Sequence, residues 1–414
     1  MTTYTVSGTV YGLASQSVVV SLSDNGGTPI SSSNGTFTFT TGLDSGASYN
    51  VTVTPPSGVA CMLGNASGTI ASANVTNVTV TCQVIQPVVM ACSNATIGTG
   101  NTAPLVVDGF PCAAGGTAGF ANTFNEPYTS VKVCAHGSTT NCQVIDHVIV
   151  DSGSTGFRVA ATALNAALQP GVSGGLTPVA GSTGTVVTEC EQYVASFVYG
   201  PVVTADIYMA GKSALNVPMQ VFGGSSYPVP TGCSSSGGTS TNTTQIFGGN
   251  GLIGVSFDAL DEGIFFNCAN STSASSCTTN NVYAGLPNTV EQFSGDNNGV
   301  VMALPPVGSL GSVVPVVGDL YFGVSTQSDN TPSGPTVAVT NDPTYGTFAF
   351  RIHAATGVTY GTAYIDSGTA VDYFNDSALL ACSSASGYQG LYCPTTDTSV
   401  TFDLANTGTT PASD

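Results

Sequence analysis

The sequence has few charged side chains and almost no positive ones. Charged residues make up 7% of the 414 positions, with four Lys and Arg against 23 Asp and Glu, so the formal net charge is −19. A chain with so little positive charge lacks the groups that neutralise phosphates. This argues against nucleic acid or an anionic membrane surface as a partner.

The distribution of cysteine and histidine argues against a zinc site. The twelve cysteines contain no Cys-x-x-Cys pair, and the only histidines are His136, His147 and His353. Zinc sites usually need closely spaced ligands of these two types. We therefore expect no metal and no other cofactor, and we interpret the cysteines as disulfides of an oxidising compartment. Plausible local pairs are Cys61 with Cys82, Cys134 with Cys142 and Cys382 with Cys393. Cys268 and Cys277 flank a loop that looks disulfide-pinned. The full disulfide connectivity stays open.

No stretch has the pattern of a membrane span. The most apolar region, residues 300–317, is broken by Pro305, Pro306, Pro315 and several glycines, so we interpret it as sheet and turns. No signal peptide is visible after Met1, and a lipid anchor on a preceding segment stays open. Disulfide usage predicts a protein that is secreted, periplasmic or held at the cell surface.

The residues present in abundance favour strands and turns. Ser, Thr, Asn, Val and the 51 glycines predict an all-β protein. Residues 1–83 alternate apolar and polar positions between turn signals, which predicts a small β-sandwich. This segment resembles the immunoglobulin-like modules that precede catalytic domains in bacterial secreted proteins, and a linker over residues 84–103 follows it. It carries no chemical motif, so we interpret it as a spacer or adhesive module.

Two similar stretches carry the chemical signal. Residues 148–156 read VIVDSGSTG, and residues 363–370 read AYIDSGTA. Each stretch places an acid at the end of an apolar strand, where a carboxylate loses hydration, and follows it with Gly and a hydroxyl residue. If the two turns meet, Asp151 and Asp366 share a proton and supply a general base and a general acid for attack of water on an amide.

On these motifs the chain resembles the bilobal, pepsin-like aspartic peptidases, from about Pro104 to the C-terminus. The resemblance implies that Asp151 and Asp366 are catalytic, and that the supporting loop residues are Ser152, Gly153, Ser154, Ser367, Gly368 and Thr369. It also implies a flap over the substrate, with Tyr199-Gly200 near its tip, and a segment at 251–255 that passes beside the first loop. Arg158 stands where many members carry Trp, so we expect it to engage substrate or an acid of the other lobe.

The same resemblance implies a double-β-barrel domain with a first lobe over residues 104–310 and a second over 311–414. The second lobe should repeat the apolar-apolar-Gly segment of residues 251–255. None appears between Asp366 and Asp414. We therefore expect the second lobe to be incomplete.

The sequence thus predicts a monomeric aspartic endopeptidase that acts on polypeptide in an extended conformation. One alternative is a non-catalytic surface or adhesion protein, and another is a pseudo-peptidase that binds peptide or cell-wall material. The two Asp-Ser-Gly stretches also fit unrelated β-turns. Residues 171–175, GVSGG, match the nucleophile elbow of serine hydrolases, but Gln169 and Pro170 precede them where an apolar strand is required.

Overall fold

The computed structural model confirms an all-β protein, with two short helices among its strands. It describes residues 3–11, 13, 20–54, 59–84, 96–108, 125–193, 196–224, 226–234, 238–269, 276–307, 315–331, 347–354, 357–369, 372–374, 376, 379–382, 391–394 and 400–405. These residues fall into two compact units, the first made of the described residues up to 84 with Cys393 and Pro394, and the second made of the others. No helix in the described part of the chain is long and apolar enough to cross a membrane.

The N-terminal unit is built from two four-stranded sheets that share one apolar core. Its strands are β1 (Thr3–Tyr4), β2 (Val6–Tyr11), β3 (Val20–Asp24), β4 (Ile30–Ser32), β5 (Gly35–Thr38), β6 (Leu43–Asp44), β7 (Ser48–Thr54), β8 (Val59–Gly64), β9 (Ser67–Thr69) and β10 (Val75–Val84). The sheets have the orders β5-β2-β10-β8 and β4-β3-β7-β9, and β1 pairs with β6 in a further, two-stranded sheet. Alternate residues such as Val6, Val10 and Val80 are buried between them, because successive side chains of a strand point to opposite faces. The likeness to immunoglobulin modules stays a prediction.

The second unit contains one large, mixed sheet. Its strands are β11 (Thr102–Val107), β12 (Tyr128–Ala135), β13 (Cys142–Asp151), β14 (Thr155–Ala160), β15 (Thr177–Pro178), β16 (Val186–Gln192), β17 (Ser196–Met209), β18 (Lys212–Phe222), β19 (Thr239–Ser240), β20 (Gly251–Val255), β21 (Ile264–Cys268), β22 (Cys277–Thr279), β23 (Val300–Ala303) and β24 (Val316–Phe322). The short helices are α1 (Thr231–Ser234) and α2 (Thr244–Phe247).

Six of these strands close into a barrel. They pair in the order β12-β13-β20-β14-β18-β17, and β17 pairs back onto β12. Closure leaves none of the six with a free edge, and their inward-facing residues, Val148 and Phe157 among them, form the main apolar core. Within this barrel β13 runs parallel to β20, which sets Asp151 opposite Gly254.

The residues after 347 form a separate three-stranded sheet in the order β26-β25-β27. Its strands are β25 (Phe348–Ala354), β26 (Gly357–Ala363) and β27 (Thr401–Ala405). The hairpin of β25 and β26 leads to Asp366, as the alternating sequence predicts. The division into two pepsin-like lobes at residue 310, and the incompleteness of the second, stay predictions.

Disulfides stabilise both units. Three of them join residues that face each other across paired antiparallel strands, with Cα separations of 4.0–4.1 Å: Cys61–Cys82, Cys134–Cys142 and Cys268–Cys277. The first two pairs, and the pinned loop at the third, are confirmed predictions. Cys190–Cys233 was not predicted and links β16 to α1. Cys382 and Cys393 are also disulfide-bonded.

Candidate active site

The two Asp-Ser-Gly turns meet and bind each other reciprocally, although they lie 215 residues apart in the chain. The Ser152 amide donates to Oγ of Ser367 at 2.9 Å, and the Ser367 amide donates to Oγ of Ser152 at 3.0 Å. Each hydroxyl then donates to a carbonyl of the opposite segment, Ser152 to Ile365 at 2.8 Å and Ser367 to Val150 at 2.7 Å. Four bonds of this kind fix both turns in one arrangement.

Each aspartate is oriented by its own turn. Oδ1 of Asp151 accepts the amide of Gly153 at 2.8 Å, and its Oδ2 accepts the Ser154 hydroxyl. In the second turn the equivalent donors to Asp366 are the amide of Gly368, at 2.9 Å, and the hydroxyl of Thr369, at 2.5 Å. Ser154 and Thr369, two of the predicted supporting residues, thus each donate a hydrogen bond to the carboxyl of their own turn. Asp151 is 5% exposed, and Asp366 is half-buried.

The two glycines let the carboxyls approach. A Cβ on Gly153 would lie 2.7 Å from Cγ of Asp366, and one on Gly368 would lie 2.7 Å from Cγ of Asp151. Burial, followed by the negative charge of Asp366, raises the pKa of Asp151 to about 6, against the lowering effect of the Ser154 hydroxyl. The approach of the Asp366 carboxyl thus disfavours ionisation of Asp151 while Asp366 is charged.

The segment at 251–255 passes beside the first turn as predicted. β20 pairs with both β13 and β14, so it lies between the strands that enter and leave the turn. A Cβ on Gly254 would lie 2.5 Å from the carbonyl oxygen of Ser154, which shows why only Gly fits at this position.

A third carboxyl, that of Glu126, lies near the dyad and was missed by sequence reasoning. Burial raises its pKa to about 7, the Tyr128 hydroxyl lowers it, and the charges of Asp151 and Asp366 raise it further. The signal was available in the sequence. Residues 128–133 and 144–150 read as two strands of one hairpin, which sets the residues just before Tyr128 opposite Asp151.

Arg158 does not engage an acid of the other predicted lobe. It is fully buried, and its Nη2 lies 2.8 Å from Glu189, 3.0 Å from Glu191 and 2.6 Å from Asp261, all within the first predicted lobe. Its Nη1 donates to the Thr155 carbonyl at 2.5 Å. The expectation that Arg158 reaches substrate or a cross-lobe acid is therefore wrong. The guanidinium instead ties β14 to β16 and to the segment before β21.

The three acids around Arg158 have oxygens within 4.8 Å of one another, which is a spacing that a metal ion accepts. The guanidinium already supplies the positive charge at their centre, since one of its nitrogens contacts all three. One cation does not balance three carboxylates. Accordingly, burial raises the pKa of Glu191 to about 7 despite the opposing effect of Arg158, and it raises the pKa of Glu189 well above its ordinary value.

Tyr199 and Gly200 lie within the hairpin of β16 and β17 and not at an exposed tip. The Tyr199 ring is 2% exposed and packs edge-on against Phe266, and its hydroxyl donates to Thr188 at 3.0 Å. Gly200 is required because a Cβ there would lie 2.0 Å from the Val221 carbonyl oxygen. The position predicted for the flap pair is therefore wrong. Tyr199 packs in the apolar cluster that contains the disulfide-bonded Cys190 and Cys233.

Tyr193 follows directly after β16. Its amide donates to the Ser196 carbonyl at 2.8 Å, and its hydroxyl is buried with no hydrogen-bond partner among the described residues. Burial raises the Tyr193 pKa well above its ordinary value, Arg158 opposes this, and the charges of Glu191 and Asp151 add to it. The hairpin thus brings this ring within electrostatic reach of the dyad.

The serine-hydrolase pattern at residues 171–175 does not form an elbow. These residues lie in consecutive turns with no preceding strand, beside a surface cavity of about 590 Å³. His136 lines this cavity, and its Nδ1 lies 2.8 Å from Asp206. Asp206 also accepts the amides of Gly137 and Asn216 at 2.8 Å, so the pair holds the turns beside it together.

Comparison with known proteins assigns a family without a described activity. No curated protein matches the chain closely enough to count as a relative. A family model described as "Protein of unknown function (DUF3443)" matches residues 98–414, which is well over half of the chain and includes both Asp-Ser-Gly turns. The chain therefore belongs to the DUF3443 family of proteins.

Proposed function

We propose that the chain is an aspartic endopeptidase that hydrolyses peptide bonds with a water activated between Asp151 and Asp366. The observation that supports this most directly is the reciprocal bonding of Ser152 and Ser367, which holds the two carboxyls against each other. Neither turn alone would create this arrangement. Unrelated β-turns would have no reason to bind each other through matching atoms.

The chemistry follows from one proton shared by two carboxyls. The ionised carboxylate accepts a proton from the attacking water, while the protonated carboxyl donates its proton to the carbonyl oxygen of the scissile amide. The carboxyl that took the proton from water then gives it to the amide nitrogen as the C–N bond breaks, while one hydroxyl of the tetrahedral intermediate returns its proton to the other carboxylate, so the dyad again holds one proton. The substrate is a polypeptide in an extended conformation.

A second candidate is a pseudo-peptidase that binds peptide or cell-wall material without cleaving it. It is favoured by the exposure of the second turn, where Tyr364 and Ile365 are 49% and 60% exposed beside the half-buried Asp366. A dyad that is open on one side holds its water less firmly. Both candidates fit a disulfide-bonded protein that is secreted, periplasmic or at the cell surface.

Proteolysis of an unfolded protein substrate by the full chain, measured from pH 3 to 8, distinguishes the two candidates. We expect pepstatin-sensitive cleavage that falls as the pH rises through about 6, because Asp151 keeps the shared proton only below that pH. Asp151→Asn and Asp366→Asn should each reduce cleavage by roughly a thousandfold or more. The matched control is Asp372→Asn, since Asp372 is exposed.

Peptide binding without cleavage by the wild-type chain at every pH would favour the pseudo-peptidase. Equal cleavage by the wild type and by both Asn variants would instead exclude this dyad as the source of the activity.

A further inference from the structure

The strand that ends at Asp151 contains a β-bulge. One residue of β12, Ser130, faces two residues of β13, Asp146 and His147. The backbone of His147 has a φ of 50°, a left-handed conformation that residues other than Gly rarely adopt. The pairs on either side of the bulge are Thr129 with Val148 and Val131 with Ile145.

The bulge decides on which face of β13 Asp151 lies. Ile145 before the bulge, and Val148 and Val150 after it, all belong to the main apolar core. Strict alternation from Ile145 would put Asp151 on this core face too, because successive side chains of a strand point to opposite faces. The extra residue moves Asp151 to the other face, where Ile149 packs in a separate apolar cluster.

The ring of His147 lies between two carboxylates beside the bulge. Its Nε2 is 2.8 Å from Oδ2 of Asp108, which follows β11, and its Nδ1 is 2.9 Å from Oδ2 of Asp146. The side chains of His147 and Asp108 are 5% and 1% exposed. The Nδ1 contact is an ion pair without hydrogen-bond alignment. A carboxylate only accepts protons and a neutral imidazole has one N–H, so only the imidazolium presents a proton to both acids.

The titratable groups that face this ring in the described part of the chain are two acids and a phenol. The acids are Asp108 and Asp146, and the phenol is Tyr128 of β12, whose ring centroid lies 5.1 Å from that of His147. Residues 109–124, which follow Asp108, contain no Asp, Glu, Lys, Arg, His or Tyr. Burial acts to lower the pKa of His147, but the contacts with Asp108 and Asp146 and their negative charges raise it to about 9.

Polar groups of two neighbouring segments complete the hold on the bulge. The Ser130 hydroxyl donates to Oδ1 of Asp146 at 2.9 Å. Asn250, which lies just before β20, donates its backbone amide to the His147 carbonyl at 2.9 Å and its side-chain amide to the Asp146 carbonyl at 2.8 Å. The bulge is thus bound to β12, to the start of β20 and, through the imidazolium, to Asp108.

We propose that His147 is a proton-operated clamp, whose imidazolium ties Asp108 to the bulge of β13 and so fixes the face on which Asp151 lies. Loss of the proton sets a bare ring nitrogen against a carboxylate, so that two lone pairs repel each other. The clamp is therefore closed at acidic and neutral pH and opens in alkali. This inference concerns the position of Asp151 and holds whether or not the dyad hydrolyses peptides.

NMR of the full chain with nitrogen-15-labelled histidine reports the protonation of each ring nitrogen. We expect both nitrogens of His147 to carry protons at about pH 7, and one proton to be lost as the pH rises through about 9. His136→Gln and His353→Gln identify the other two rings, so the His147 signal is read in native protein. A His147 ring with an unprotonated nitrogen at about pH 7 overturns the clamp.

Urea unfolding of the wild type and His147→Gln from pH 6 to 10 measures what the proton contributes. Because the folded-state pKa is raised from 6.5 to about 9, the stabilisation is complete below pH 6.5 and is lost as the pH rises through about 9. The ratio of the unfolding constant of His147→Gln to that of the wild type should therefore fall by roughly a hundredfold or more between pH 6 and 10.

The control for unfolding is Glu262→Gln, since Glu262 is an exposed acid outside this cluster. Its ratio to the wild type should stay constant over the same pH range. A ratio for His147→Gln that is equally constant overturns the clamp. If His147→Gln does not fold at any pH, the NMR measurement on the wild type decides alone.

Discussion

Replacing Glu191 by Gln tests the balance between burial and ion pairing around Arg158. Glu191 is 8% exposed and lies 3.0 Å from a guanidinium that it shares with two other acids. Pairing with Arg158 favours the ionised form, while burial and the neighbouring acids favour the protonated form. Burial has the larger effect, since the pKa of Glu191 rises from 4.5 to about 7.

The sign and size of the effect follow by linkage. Because the folded-state pKa is the higher one, the folded protein binds an extra proton between pH 4.5 and 7. The stabilisation from this proton is complete below pH 4.5 and is lost as the pH rises through about 7. At ~1.36 kcal/mol per pKa unit, the full loss is about 3 kcal/mol. Gln mimics the protonated form and still accepts a hydrogen bond from Arg158, so the variant does not suffer this loss.

Urea unfolding of the wild type and Glu191→Gln at each pH from 4 to 8, followed by circular dichroism, measures the difference. The unfolding transition whose urea midpoint differs between the two proteins is assigned to the unit that contains residue 191. We expect the free energy of unfolding of Glu191→Gln, relative to that of the wild type, to increase by about 3 kcal/mol from pH 4 to pH 8. A difference that does not change with pH, or one that favours the wild type at pH 8, would refute the dominance of burial. The exposed Glu262→Gln should show no such trend.

Two further predictions concern the meeting of the turns. Gly368→Ala should abolish proteolysis while circular dichroism stays native, because the new methyl group would lie 2.7 Å from Cγ of Asp151 and displace it. Ser367→Ala should lower the free energy of unfolding by about 1–3 kcal/mol in urea, because the Val150 carbonyl and the Ser152 amide lose their partner. Ser367→Thr, which keeps the hydroxyl, should retain most of that stability, and equal losses in both variants would contradict the argument.

The meeting of the two Asp-Ser-Gly turns was predictable because its signal is local and occurs twice. An apolar strand that ends in Asp-Ser-Gly identifies each turn without knowledge of the rest of the fold. The hydroxyl bonds of Ser154 and Thr369 follow from the same short stretches, because each lies three residues after its own aspartate. Gly254 was also predictable, since an apolar strand with one obligatory small residue indicates a close backbone approach.

The surroundings of the dyad were harder to predict, because they depend on which face of a strand each side chain occupies and on partners that are distant in the sequence. The Tyr199-Gly200 pair matched the flap by residue type, but residue type does not say which face of a strand a ring occupies. Two of the acids that contact Arg158 lie 31 and 103 residues away in the sequence, so local sequence spacing does not indicate them. The available signal was an Arg inside the apolar stretch of β14, which requires buried acids to pair with it.

The interlocked turns also constrain how the protein matures during synthesis. The ribosome releases the first turn long before the second, and the contact closes a loop of 215 residues. Until the second turn emerges and docks, the barrel can fold, but its acidic turn has no counterpart. A nascent or interrupted chain without the second turn therefore has only one of the two carboxyls that the proposed peptidase requires.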